Sequence, residues 1–182
     1  MSFEVGDAQD LRFANAEFDR TLSLLVLNFV PKAREALREM IRVTRPGGTV
    51  AAAVWDYSDG MEMLRFFWDG ATTLDPASDA RDEKHMPFCK RGELAALWHE
   101  EGLGNIQEGD LTIEPRFSSF DDFWMPFLAG QGPAGAYAVA LPPPERVRLA
   151  QLLQRRLLKE ESDGPILLKA RAWAVKGIVT PR

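Results

Sequence analysis

Few side chains in this 182-residue sequence are suited to acid–base or nucleophilic chemistry. There are two histidines, His85 and His99, and one cysteine, Cys89. Histidine titrates near neutral pH, so each is a candidate general base. His99 stands beside Glu100 and Glu101 in a helical pattern and reads as part of a solvated face. His85 lies in a polar loop and is the better candidate. Cys89 has no second cysteine, which excludes an intrachain disulfide and a cysteine-cluster zinc site, and it reads as a small, partly buried residue. With two histidines, no metal centre is expected. A second group is aromatic: Trp55, Tyr57, Phe66, Phe67, Trp68, Phe123, Trp124 and Phe127 gather in two stretches. Rings bury much area at low entropic cost. The group therefore suits a lid over an apolar or planar ligand, and equally the packing of those stretches onto a sheet. The third feature is Asp7, in EVGDAQ after the strand-like run FEV. A carboxylate at the carboxyl end of a strand faces the ligand crevice of an α/β sheet. A turn aspartate capping its own backbone fits the same residues.

The elements around these residues follow from hydrophobic period. RTLSLLVL, residues 20–27, is a nearly unbroken apolar run, as in a strand covered on both faces. In the following PKAREALREMIRV, residues Ala33, Leu37, Met40 and Ile41 share one helical stripe. Pro31 suits a first helical turn, and Asn28 is a candidate N-cap. Pro46 with Gly47 and Gly48 ends the helix in a tight turn. TVAAAVW, residues 49–55, is a second buried strand. Strand, helix, turn and strand make a βαβ unit with a parallel pair and a right-handed crossover. Further on, MEMLRFFW suggests a short helix and RGELAALWHEEG an amphipathic one closed by Gly102. Strands are expected over 105–117 and 166–178, with ERVRLAQLLQRRLL as a helix between them. GQGPAGAY, residues 130–137, reads as a surface turn.

The composition suits one domain, residues 1–182, with 46% hydrophobic residues and a formal net charge of −5. That balance argues against a nucleic-acid surface. No apolar run reaches the roughly 20 residues that span a bilayer. No basic stretch followed by an apolar one opens the chain, so a cytoplasmic location is expected.

The ordered set GDA, F-D before a buried strand, ALREM-x-RV-x-RPGG and the next strand resembles the class I S-adenosylmethionine-dependent methyltransferases. It is most similar to the small-molecule, ubiquinone/menaquinone-type group. FCKRGELAALWHEEGLGNIQ and ARAWAVKG resemble later parts of the same fold. The resemblance implies an α/β, Rossmann-like sheet in the order 3-2-1-4-5-7-6, with FEV as strand 3, RTLSLLV as strand 4, TVAAAVW as strand 5, NIQEGDLTI as strand 6 and ARAWAVKGI as strand 7. Strands 1 and 2 would then be missing from an N-terminally truncated, incomplete domain, and 56–84 and 118–164 would be helical lid insertions.

By the same resemblance, S-adenosylmethionine is the cofactor and a small molecule the acceptor. Asp7 and Ala8 match the adenine-binding position, the carboxylate accepting from the amino group and the Ala8 N–H donating to the ring. Leu24 and Leu25 follow strand 4, where the family backbone lies against the cofactor, their side chains being expected in the core. Asn28 and Phe29 stand at the substrate mouth, and Trp55, Tyr57, Phe67, Trp68, Trp124 and Phe127 would cover the acceptor. His85 is the one candidate base, although methyl transfer needs mainly alignment. The one G-x-G-x-x-G spacing, GQGPAG at residues 130–135, lies late, outside a strand–helix context and with Pro133 where a backbone donor is wanted, which disfavours a nicotinamide enzyme and leaves the family's cofactor loop unmatched. A ribose clamp of two charge-assisted hydrogen bonds is worth roughly 3–6 kcal/mol, so cofactor binding by this chain alone is expected to be weak and its activity impaired. The alternative is a non-catalytic remnant or interaction module. In either case strand 20–27 would be an unprotected edge, and a homo-oligomer through it is expected.

Overall fold

The computed structural model describes residues 3–159 and 163–181. In chain order the regular elements are β1 (Phe18–Leu24), α1 (Ala33–Val43), β2 (Thr44–Trp55), α2 (Glu62–Leu74), α3 (Glu93–Glu100), β3 (Gly104–Ile113), β4 (Arg116–Phe117), α4 (Phe120–Leu128), α5 (Gly132–Ala140), α6 (Pro143–Leu158), β5 (Ile166–Leu167) and β6 (Ala170–Ile178). They fall into two compact units, one built from residues 3–56, 86–111 and 172–181, the other from 57–85 and 112–171. The stretches expected as insertions, 56–84 and 118–164, lie almost wholly in the second.

The first unit is a mixed α/β sheet in the order β1-β2-β6-β3. β1 and β2 run parallel, as the βαβ reading requires, and β6 is antiparallel to β2. This is the order 4-5-7-6 implied by the family resemblance. α1 turns Ala33, Ala36, Leu37, Met40 and Val43 inward, one face of a 3.6-residue period. Together with Leu94, Leu97 and Trp98 of α3 they cover Val50, Ala52, Val54 and Val175. Trp98 donates its indole N–H to the carbonyl of Val50 at 3.1 Å, so this large ring is buried without an orphaned donor. Arg34 and Arg38 of α1 both pair with Glu101 just beyond α3, which ties the two helices together.

Three expectations change here. FEV forms no strand: Phe3 and Val5 are 89% and 92% exposed, and the local bridge is Asp7 to Asp10. A strand pattern with no neighbouring strand to pair with gains nothing from being extended. Pro31 lies in a turn before Lys32, the N-cap of α1, so Asn28 is not the cap. The RPGG segment is not a simple turn. It is extra chain within β2: Phe18 pairs with Thr44 and Arg20 with Thr49, so the four residues 45–48 bulge against Asp19 alone.

Gly47, at φ +78°, takes the left-handed conformation there. A Cβ on Gly48 would lie 2.7 Å from the Asp19 carbonyl oxygen and 2.8 Å from that of Arg45. Gly48→Ala is expected to cost about 1–3 kcal/mol, because neither backbone oxygen can step aside cheaply. Gly47→Ala meets no atom within 4 Å and carries only the left-handed penalty of about 1 kcal/mol. Thermal melts of the two variants check the ranking.

The second unit is a helical cluster of α2, α4, α5 and α6 with the small β4–β5 ladder. Its core is aromatic. Phe67 stacks on Phe127 at 4.5 Å and meets Trp68 edge-on at 5.2 Å. GQGPAGAY is not a surface turn: α5 starts at Gly132 and buries Ala134, Gly135, Tyr137 and Ala138. Pro133 occupies its first turn, where the missing N–H costs nothing.

Candidate functional site

The crevice side of the first unit is the carboxyl end of β1 and β2. After Leu24 the chain turns sharply. Leu25 adopts φ +58° and donates its N–H to the Ala53 carbonyl at 2.8 Å. A left-handed leucine costs on the order of 1 kcal/mol and persists only where its surroundings fix it. Leu24 was expected in the core and is instead 70% exposed, because it lies on the sheet face opposite α1 and α3. A short 3-10 turn, Leu27–Phe29, follows. Asn28 is buried there and donates to the Met86 sulfur at 3.3 Å, while its Oδ1 has no partner among the described residues. Phe29 is half exposed and Trp55, at the end of β2, half buried.

The Asp7–Ala8 turn is brought to this same end. Asp7 Oδ1 accepts from the Gln9 backbone N–H at 2.8 Å and from its side-chain amide at 3.1 Å. The Gln9 Oε1 in turn accepts from the backbone N–H of Lys32, at the start of α1. These bonds hold the Asp7 carboxyl below the ordinary aspartate range, the Gln9 backbone bond first. The residues beyond are clamped to α1 by the Glu39–Arg42 pair. Arg42 donates to the carbonyls of Leu11 and Phe13 and to Asn15, and Glu39 accepts from the Leu11 N–H. The turn-capping and adenine-facing roles of Asp7 are therefore compatible. One oxygen closes the turn, and a carboxylate has capacity for further donors. Gln9 has no local signal that marks it as the link, since the bond joins residues far apart in the chain.

The other candidates lie elsewhere. Cys89 is fully buried in the first unit, donates to the Met86 carbonyl, and burial pushes its thiol pKa up, so it is no nucleophile. His99 is exposed on α3. In the second unit His85 is exposed and pairs with Asp79 at 3.2 Å. Tyr57 is buried, and Phe67, Trp68, Trp124 and Phe127 form the core of that unit with at most 7% exposure. Rings so enclosed present no surface to an acceptor in this conformation, and packing accounts for them. Among the described residues no group of three His, Cys, Asp or Glu is placed to hold a metal. No described helix is long and apolar enough to cross a membrane.

Comparison with known proteins bears on the family and the fold. A family model described as a methyltransferase domain matches residues 1–52. The chain is 27% identical over 135 residues to the 2-methyl-6-phytyl-1,4-hydroquinone methyltransferase of a Synechocystis strain, covering 71% of this chain and 41% of that one. It is 30% identical over 123 residues to the demethylmenaquinone methyltransferase of Beutenbergia cavernae, covering 62% and 51% respectively. The chain thus spans about two-fifths to half the length of these curated relatives. The fold is similar to the crystal structure of a candidate methyltransferase from Bacillus halodurans C-125. The TM-score is 0.55 at 13% identity, covering 97% of this chain and 70% of that one. The YcgJ protein of Bacillus subtilis aligns with a TM-score of 0.52 at 16% identity, over 97% and 70%. In sequence over its first 52 residues, and in fold over nearly all of its length, the chain is similar to methyltransferases.

Proposed function

We propose that this chain contributes to methyl transfer from S-adenosylmethionine to a small, apolar or planar acceptor, and that it supplies the adenine side of the cofactor site. The observation that carries this reading is the Gln9 link, which fastens the Asp7–Ala8 turn to Lys32 at the N-cap of α1, in the connection that leaves the carboxyl end of β1. The Asp7 carboxylate, ionised at neutral pH, accepts from the adenine amino group, and the Ala8 N–H donates to the ring. Leu24 and Leu25 offer backbone and an apolar surface next to it. S-adenosylmethionine supplies the electrophilic methyl group, and these residues hold the adenosine end so that the acceptor lies in line with the methyl. The names of the quinone-type relatives support the acceptor class.

The glycine-rich stretch GQGPAG, residues 130–135, joins α4 to α5 and follows no strand, so cofactor binding by this polypeptide is weak, on the order of millimolar. Isothermal titration calorimetry with S-adenosylmethionine tests it. Heats that saturate only at millimolar ligand, and that Asp7→Asn abolishes, are expected. A micromolar dissociation constant would refute the weak-binding part, and binding untouched by Asp7→Asn would refute the assignment of Asp7. A complete absence of heat favours the second reading, a non-catalytic interaction module.

A further inference from the structure

We propose that the helical second unit carries a binding site of its own for a small organic ammonium ion, a primary amine on a short apolar body. The site is a cavity of about 260 Å³ between α2, α5 and α6, at the small end of the range for ligand pockets. Every residue that lines it belongs to that unit. Leu74, Leu141 and Leu149 supply an apolar wall, and Asp75, Tyr137 and Glu145 supply oxygen. None of them is placed at the cofactor, so the site can exist with or without methyl transfer by the chain.

Tyr137 sets the polar end. It is 7% exposed and its ring packs against Trp68 and Phe67, which leaves the hydroxyl to face the cavity. Burial first, and then the Asp75 carboxylate, push the tyrosine pKa up, against the Ser78 hydroxyl and the Arg81 guanidinium. The phenol is therefore neutral at pH 7. An acceptor for its proton lies beside it, Ser78 Oγ, which is 1% exposed and has no other partner among the described residues. Donation to Ser78 leaves the Tyr137 oxygen as an acceptor toward the cavity. Asp75 Oδ1 is occupied by the Ala77 N–H at 3.0 Å, which leaves Oδ2 for a ligand. Tyr137, Asp75 and Glu145 thus offer acceptors to one space, and an ammonium group has three donors. A carboxylate there would meet two negative charges. Arg148, exposed at the rim, opposes a second positive charge, so a monoamine fits and a diamine does not.

Calorimetry on the purified chain with phenethylamine, cationic at pH 7, tests the site without S-adenosylmethionine. Saturable binding with a dissociation constant under about 1 mM is expected, within reach of a ligand of this size. It should be about tenfold tighter than for the neutral isostere 2-phenylethanol, because a charge-assisted hydrogen bond is roughly twice as strong as a neutral one. 1,4-Diaminobutane and 3-phenylpropionate should not bind. Tyr137→Phe keeps the packed ring and Glu145→Gln keeps the side-chain length, so circular dichroism should not change. Each is expected to weaken phenethylamine about fivefold, the loss of one good acceptor. Leu74→Trp, at a position 40% exposed, fills the cavity with the fold intact and should abolish binding. No saturation up to about 10 mM amine overturns the proposal, since binding that weak is not a formed site. So does equal affinity for the alcohol, or preference for the carboxylate, which would make Arg148 the anchor. Binding indifferent to both Glu145→Gln and Leu74→Trp would put the amine elsewhere and overturns it as well.

Discussion

Phe67→Ala is expected to destabilise the helical unit by about 3–5 kcal/mol, the range for truncating a fully buried ring. Phe67 has no exposed surface and stands at the centre of the aromatic core. Its ring stacks on Phe127 at 4.5 Å and on Trp124 at 6.3 Å, and it meets Trp68 and Tyr137 edge-on. Those partners come from α2, α4 and α5, so one truncation loosens three helices together. Nearby packing cannot close the cavity easily. Against Gly70, one turn on, Leu153 of α6 already lies so close that a Cβ would come within 2.7 Å of it. Phe67→Leu keeps most of the volume and should cost under about 1.5 kcal/mol. Urea denaturation followed by near-ultraviolet circular dichroism reads both. Equal, small losses for the two variants would show that the rings line an open pocket and do not form a core.

That experiment bears on what the sequence could disclose. The aromatic cluster was visible in composition, but lining and core require the same residue types. Only the tertiary partners, stacked ring on ring, decide between them. α1, β1 and β2 were legible because their apolar periods are long and agree with the turn chemistry around them. FEV had a strand's pattern without a strand's neighbour. GQGPAGAY had a turn's composition, yet its Gly and Pro fall at the start of a helix, where proline is at home and where Ala134 and Tyr137 find a core to enter. RPGG announced a reversal but not the bulge, since the close approach of Gly48 to Asp19 is a cross-strand contact. At the site, Asp7 was legible as a turn residue. Its attachment through Gln9 to Lys32 was not.

Glu83 was missed altogether, and its substitution should have the other large effect. Its carboxylate is buried in the second unit and accepts from the Trp68 indole N–H and, at 3.1 Å, from the Ala134 N–H in the first turn of α5. Glu83→Ala leaves both donors buried without partners. At about 1–3 kcal/mol for each orphaned group, a loss of about 2–6 kcal/mol is expected. The pH dependence separates charge from hydrogen bonding. Burial pushes the Glu83 pKa up, and it outweighs the three donors that favour the anion, Glu83's own backbone N–H among them. A carboxyl raised in the folded state is bound to its proton more tightly there than in the unfolded chain. Its favourable contribution is complete below the unfolded value and is lost as pH rises through the folded one. Glu39, Asp79 and Glu101, held low by Arg42, Lys84 and Arg38, act in the opposite sense and are destabilised only on acidification. Glu83→Gln keeps one acceptor oxygen and carries no charge. Relative to wild type it should therefore gain stability between pH 5 and pH 8, although it is weaker at pH 5 because one donor now faces an amide NH₂. Urea midpoints for the two proteins at those pH values measure the slope. A difference that stays constant across the range would show that Glu83 is ionised throughout and that its donors, not its burial, set its charge.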